Sequence, residues 1–111
     1  MKGAGRIVAA AAAAALSGAA TLAGAQDVAA LRGRSLVATC AACHGTDGRA
    51  APTAAVPGLA GMPAAYLVEQ MKAFKSGARN GTVMPQLAKG YSDAQIEQLA
   101  ETLAKAGAAK P

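Results

Sequence analysis

Apolar residues recur at helical intervals in three stretches of the chain, and no stretch alternates apolar and polar residues as a half-buried strand would. These stretches predict helices over residues 28–43, 63–77 and 92–107. Pro63 suits the first turn of the second helix, and Gly77 is a natural residue to end it. Ser92 and Gln95 have the spacing of a capping box at the start of the third. The pattern therefore predicts an all-α fold with three main helices.

Two loops rich in Gly, Pro and Ala separate these helices, at residues 45–62 and 78–91. Long loops without secondary structure are usually functional or disordered in a compact domain. Large apolar side chains are scarce, since the sequence has one Phe, two Tyr and no Trp. Small domains of this kind often need a metal, a disulfide or another staple. We therefore expect a large cofactor to complete the core, with the loops wrapped around it.

Residues 1–25 have the layout of a secretory signal peptide. Lys2 and Arg6 precede an apolar run that ends at Leu16, and the segment closes with Ala-Gly-Ala. The run is shorter than the about 20 apolar residues that a membrane-spanning helix needs. We predict removal of this segment, export to the periplasm, and a mature domain at residues 26–111 with no membrane span.

The charge of the chain gives no support to a nucleic-acid partner. Loss of Lys2 and Arg6 with the signal peptide lowers the formal net charge from +5 to +3. Nucleic-acid-binding proteins usually have basic runs interleaved with aromatic residues. The mature part has no basic run and few aromatic residues. The cations nearest the loops either surround an exposed cofactor edge or form an ordinary solvated face; they are Lys72, Lys75, Arg79 and Lys89.

Cys40, Cys43 and His44 are the only cysteines and the only histidine of the chain. A structural zinc site would need a fourth ligand, usually from a second Cys/His pair. A disulfide between these cysteines would close a very small ring and leave His44 without a role. The spacing C-x-x-C-H is that of covalent haem attachment, with two thioether bonds and the histidine as axial ligand. We predict one haem c, with zinc and disulfide sites as the alternatives.

The sixth iron ligand has to be a methionine, because no second histidine exists. Met71 lies on the apolar stripe of the second predicted helix, which indicates a core role. Met62 precedes Pro63 and is placed to staple the start of that helix. Met84 lies in the second loop before Pro85, a position that favours extended backbone. We predict Met84 as the axial ligand.

The mature sequence resembles the class I c-type cytochromes (monohaem), and most closely the haem subunit of flavocytochrome c sulfide dehydrogenase and related small bacterial cytochromes c. The resemblance rests on the stretches GRSLVATCAACHGTDG, VPGLAG, AYLVEQMKAFKSGARN and TVMPQLAKGYSDAQIEQLAETL. It implies the cytochrome c fold, with His44 and Met84 as axial ligands. It also implies that the Pro57 carbonyl accepts a hydrogen bond from the ring of His44.

One position departs from the family pattern. The family usually has an aromatic residue near the end of the last helix, packed on a glycine of the first helix. That position is Thr102 in this sequence, so we expect the contact with Gly33 to be made differently, with Leu99 and Leu103 filling the space.

A haem with both axial positions filled has no open site for a substrate, so we predict an electron carrier and not an enzyme. The chain shows no nucleophile–base pair and no second cofactor motif. The alternative within the same chemistry is the haem electron-accepting subunit of a sulfide, or other sulfur-compound, dehydrogenase. Redox proteins are the expected partners, among them a flavoprotein sulfide dehydrogenase. A haem enzyme or gas sensor whose methionine dissociates is a further alternative.

Overall fold

The computed structural model describes residues 24–108, which divide between two units, residues 1–31 and 32–111. Residues 24–38 are helical (α1); residues 24–31 belong to the first unit and 32–38 to the second. Val28 and Leu31 are exposed in the first unit. The predicted signal peptide, apart from its last two residues, lies outside the described residues. None of the described helices is long and apolar enough to cross a membrane.

The predicted first helix is two helices in the structure. α1 ends at residue 38, a turn follows, and α2 covers Ala41–His44. The Thr39 hydroxyl donates a hydrogen bond to the Leu36 carbonyl at 2.8 Å, and the Cys40 amide donates to the Val37 carbonyl at 2.9 Å. Threonine side chains compete with helical hydrogen bonding in this way. The single helix predicted over residues 28–43 was therefore wrong about the turn at 39–40.

The other two predicted helices agree with the structure to within one residue at each end. α3 covers Ala64–Ser76 and is followed by Gly77 in the left-handed conformation, φ +83°. α5 covers Asp93–Ala106. Ser92 Oγ accepts from the Gln95 amide at 3.2 Å, and Gln95 Oε1 accepts from the Ser92 amide at 2.8 Å. The capping box is therefore present, and it fixes where α5 begins.

A short helix lies in the segment that we predicted to be a loop. α4 covers Met84–Ala88, with Pro85 in its first turn. Proline is tolerated there because the first amides of a helix have no intrahelical acceptor. The Leu87 amide donates to the Val83 carbonyl at 3.1 Å. Met84 is thus helical, and the extended backbone expected from its position before proline was wrong.

The core of the second unit lies where residues 32–38 of α1 meet α3 and α5. Its main cluster of buried apolar residues consists of Val37, Leu67, Leu99, Ala100 and Leu103. α3 packs against both α5 and α4, and α2 packs against a 3-10 turn at Thr46–Gly48. Each described element is helical or irregular, and three helices are the main ones. The predicted all-α fold class is confirmed.

Gly33 of α1 is buried against Thr102 of α5, where a Cβ on the glycine would collide with the threonine Oγ1. That hydroxyl donates to the Gln98 carbonyl at 2.8 Å. Leu99 and Leu103 are buried in the core cluster. The small residue that stands where the family has an aromatic is therefore the nearest neighbour of Gly33, so the contact is made differently, as expected.

The first loop folds back onto the 3-10 turn. The Gly48 carbonyl accepts from the Leu59 amide at 2.7 Å and from the Ala60 amide at 3.1 Å. The Gly61 amide donates to the Leu103 carbonyl of α5 at 2.9 Å. These backbone bonds hold the segment before Leu59 in place beside α2, and they position Pro57.

Candidate haem-binding site

A cavity of about 480 Å³ lies in the second unit, lined mainly by apolar side chains. α2, α3, α4 and both loops border it, and Leu99 and Leu103 of α5 form part of its wall. Its size is in the range of cavities that hold cofactors. The predicted site residues all lie on its wall: Cys40, Cys43, His44, Pro57 and Met84.

The two cysteines border the cavity from either end of one short helix. Cys40 caps the N-terminus of α2, and Cys43 lies in its last turn. Both are free thiols; Cys40 is half-buried and Cys43 is exposed. Burial raises the pKa of the Cys40 thiol, and its contact with the Thr39 hydroxyl offsets part of that rise. Within residues 24–108, no three His, Cys, Asp or Glu side chains are arranged to hold one metal ion, so the geometry does not support zinc.

His44 is the buried polar residue of the site, with 9% of its surface exposed. Its Nδ1 lies 2.7 Å from the Pro57 carbonyl oxygen. A carbonyl only accepts hydrogen bonds, so Nδ1 carries a proton, and in the neutral imidazole Nε2 then has the free lone pair. Nε2 has no hydrogen-bond partner among the described residues. A neutral imidazole held in this way is suited to bind a metal through Nε2.

The three methionines of the described chain all border the cavity, but their other contacts differ. Met62 and Met71 also pack against the buried core of α1, α3 and α5. Met84 does not belong to that packed set. A thioether that is not used in core packing is the one free to approach a metal.

Tyr91 belongs to the site but was not predicted from the sequence. Its ring borders the cavity, and its hydroxyl lies 2.6 Å from that of Thr39, the residue before Cys40. Its carbonyl accepts from Lys75 Nζ at 2.7 Å. The signal that could have found it is its place immediately before the N-cap Ser92, where a large apolar residue commonly packs back onto the fold.

The cations near the loops do not act as one group. Lys75 Nζ lies 2.9 Å from Asp93 Oδ1, and Lys72 Nζ lies 3.7 Å from Glu97 Oε1. Arg79 instead borders the cavity. Two of these four cations are therefore engaged with acidic side chains of α5.

The donor set fits a haem c and does not suit a bare metal ion. Two thiols and one neutral imidazole lie on the same wall of an apolar cavity, with a thioether on another element that borders it. Thiols at C-x-x-C spacing can form thioethers with haem vinyl groups, and the imidazole of the next residue then lies at the iron. The apolar lining matches the porphyrin ring.

The matching of the chain to known proteins agrees with this geometry. Residues 30–106 match the model of the cytochrome c family. The chain is 47% identical over 68 residues to the thiosulfate dehydrogenase electron acceptor of Thiomonas intermedia. The aligned residues cover 61% of this chain and 31% of that protein. The chain is also 40% identical over 70 residues to the cytochrome subunit of sulfide dehydrogenase of Chlorobaculum tepidum, covering 63% and 62%.

A third relative is nearer in length. Cytochrome c-554(548) of Halomonas halodenitrificans is 42% identical over 72 residues, covering 61% of this chain and 84% of that protein. The chain spans less than two thirds of the length of the other two relatives. The family match covers more than half of the sequence and includes the cysteines, the histidine and Met84. The chain therefore belongs to the cytochrome c family, which implies haem c as its cofactor.

Proposed function

We propose that this cytochrome carries single electrons in the periplasm through one haem, whose iron is bound between Nε2 of His44 and Sδ of Met84. The observation that carries this proposal is the 2.7 Å hydrogen bond between His44 Nδ1 and the Pro57 carbonyl on the cavity wall. It fixes the tautomer that leaves Nε2 free, and it raises the basicity of the imidazole as a ligand.

The role of Met84 is supported by its contacts. It borders the cavity at the start of α4, and the other two methionines are used in core packing. A His/Met pair raises the reduction potential of a haem relative to bis-histidine ligation. It also fills both axial positions, so electrons pass in and out without a bound substrate.

The periplasmic location is supported by the layout of residues 1–25, with two basic residues before a short apolar run and a closing Ala-Gly-Ala. The same segment leads us to propose Gln26 as the first residue of the mature protein. Terminal sequencing of the protein from a periplasmic extract measures this directly, and a mature chain that still begins at Met1 would contradict it.

The haem attachment can be tested on the whole chain, expressed together with a haem-attachment system. After denaturation, the wild type should keep its haem on a gel stained for haem. The double variant Cys40→Ala/Cys43→Ala should release it, and each single variant should retain one thioether. Met62→Leu is a matched control that alters the cavity wall and leaves both thiols. Release of haem from the denatured wild type would show that the attachment is not covalent.

The second candidate is a haem electron-accepting subunit in a sulfur-compound dehydrogenase. Two relatives favour it by name, one an electron acceptor of thiosulfate dehydrogenase and the other the cytochrome subunit of sulfide dehydrogenase. In this form the partner is the catalytic subunit, for instance a flavoprotein sulfide dehydrogenase. The iron site is the same in both candidates, so they differ in how long the partner stays bound.

A further inference from the structure

Arg79 is the one charged side chain that borders the cavity. Among the described lining residues there is no other Arg, and no Lys, Asp or Glu. The cations Arg49, Lys72, Lys75 and Lys105 each form an ion pair with an acidic side chain. Arg79 forms none within residues 24–108. A cation at an apolar cavity, without an acidic partner among the described residues, indicates an anionic group on the ligand.

Arg79 is held in place by contacts that leave part of its guanidinium available. The guanidinium carbon lies 4.5 Å from the centre of the Phe74 ring, a stacking geometry that favours a cation. Nη1 donates to Oε1 of Gln70, and the main-chain amide donates to the Ala73 carbonyl at 3.0 Å. Phe74 and Gln70 themselves border the cavity. A guanidinium has five N–H donors, so most remain for another acceptor.

Haem brings the matching chemistry. Its ring is apolar, but it carries two propionate groups that are ionised at neutral pH. An ionised carboxylate at the edge of an apolar cavity is costly unless it is paired. Arginine binds carboxylates through two parallel N–H···O bonds, which fixes their orientation as well as their charge.

We propose that Arg79 binds a propionate carboxylate of the haem and so sets the orientation of that edge of the cofactor. The proposal rests on the proposed function, because it requires haem in this cavity. Phe74 and Gln70 act as positioning residues, since they hold the guanidinium at the wall before the haem arrives.

The pairing has a measurable effect on the reduction potential. A propionate that loses its proton stabilises the ferric state, so the potential of a haem falls as pH rises through the propionate pKa. A guanidinium beside the carboxylate keeps it ionised to lower pH, and opposite charges in contact lower a carboxyl pKa by about 1–3 units. The pH at which the reduction potential changes therefore shows whether a cation lies beside the propionate.

The test measures the potential of the purified holoprotein against pH for the wild type, Arg79→Gln, Arg79→Lys and Lys89→Gln. Lys89 is exposed, lies near α4 and does not border the cavity, so its substitution removes the same charge elsewhere. Arg79→Gln should move the midpoint of the pH-dependent change upward by about one pH unit or more. Arg79→Lys should move it less, because the charge stays but the two-point contact is lost. Lys89→Gln should leave the midpoint unchanged.

Equal midpoints in Arg79→Gln and Lys89→Gln would overturn the proposal. If Arg79→Gln does not accumulate with haem, the comparison of Arg79→Lys with the wild type decides, and an unchanged midpoint overturns the proposal in the same way. The haem gel and the absorption spectrum of the wild type separate this result from the proposed function. A covalently bound, methionine-ligated haem with unshifted midpoints would remove only the role of Arg79.

Discussion

At the scale of single residues, the three methionines that border the cavity differ in what else they contact. Met71 and Met62 fill space beside the buried core, where a flexible thioether packs well against irregular neighbours. Met84 borders the cavity from α4, outside that packed set. The proposal that the Met84 sulfur binds the iron rests on this difference in packing.

Met84→Ala should remove the axial ligand. The potential should fall, and carbon monoxide should bind the reduced iron, because the sixth position is then open. Met71→Ala is the matched control. It should leave the ligation spectrum intact and lower the free energy of unfolding by about 2 kcal/mol, the low end for a methionine cavity because Met71 is only partly buried. Carbon monoxide titration and urea unfolding measure the two effects. Exchanged outcomes for the two variants would reverse the assignment of ligand and packing residue.

The residues of the site differ in how far the sequence alone could identify them. Cys40, Cys43 and His44 carry their chemistry in adjacent positions, so their spacing was enough. Pro57 is thirteen residues from His44 along the chain, and its backbone carbonyl has no signature of its own, so the resemblance was needed to suggest it. Arg79 was indistinguishable from other surface cations until the fold placed it beside the cavity.

At the scale of helices, the ends decide where the site residues lie. The turn at residues 39–40 makes Cys40 the cap of α2, and α4 begins with Met84. Helix ends with strong local signals were predictable, as Ser92, Gln95 and Gly77 show. α4 was missed because it has only five residues and its first turn contains proline, so no apolar period can develop. The turn at residues 39–40 was missed because the spacing of apolar residues carries no information about the hydrogen bond from the Thr39 hydroxyl to the Leu36 carbonyl.

The start of α5 is also joined to α3 by charge, which makes the stability depend on pH. The Lys75 ammonium, through its hydrogen bond and its charge, lowers the pKa of Asp93 below its usual value. A carboxyl whose pKa is lower in the folded protein stabilises the fold above its unfolded value of about 3.9. That stabilisation is lost as the pH falls through the folded pKa.

Asp93→Asn should therefore lower the midpoint of urea unfolding at pH 7 and have a smaller effect at pH 3, which lies below the unfolded pKa, because part of the wild-type stabilisation is already lost there. The holoprotein is used at both pH values. Glu101→Gln is the matched control, because its pair with Lys105 is at 3.9 Å on one exposed helix face. Such pairs contribute little, so a small change at pH 7 is expected. If Asp93→Asn lowers the midpoint of urea unfolding equally at pH 7 and pH 3, the ion pair between Asp93 and Lys75 does not contribute to stability.

At the scale of the whole molecule, the described domain combines a small core with a large cavity. Five buried residues form the main core cluster, and loops, α2 and α4 border the cavity beside it. The shortage of large apolar residues already indicated that a cofactor completes the interior. The position of the cavity could not be predicted in the same way, because it results from backbone bonds between distant segments, such as those that the Gly48 carbonyl accepts.

Partner exchange is the property that separates a free carrier from a subunit. Tyr66, Val83 and Leu87 are exposed apolar residues that border the cavity, and three such residues offer a partner only a small apolar surface there. Electron-transfer encounters are usually weak and bury less than about 1,200 Å², whereas permanent subunits bury larger apolar areas. The small size of this surface favours the free carrier.

Size-exclusion chromatography of a native periplasmic extract, followed at the haem absorption band, should show elution as a monomer of the mature size. Runs at low and high salt test whether any larger species is held by charge alone. Elution with a flavin-containing protein at both salt concentrations would contradict the carrier and establish the subunit form. Val83→Ser/Leu87→Ser would then be expected to release the haem protein from that complex.

Both tyrosines lie where their fluorescence depends on a haem in the cavity. The sequence has no tryptophan and two tyrosines, Tyr66 and Tyr91, and both border the cavity. A haem in that space absorbs where tyrosine emits, so resonance energy transfer suppresses the emission of the folded holoprotein. Unfolding separates the rings from a haem that stays fixed to the chain. Tyrosine fluorescence then follows the opening of the haem site itself, without background from an indole elsewhere in the protein.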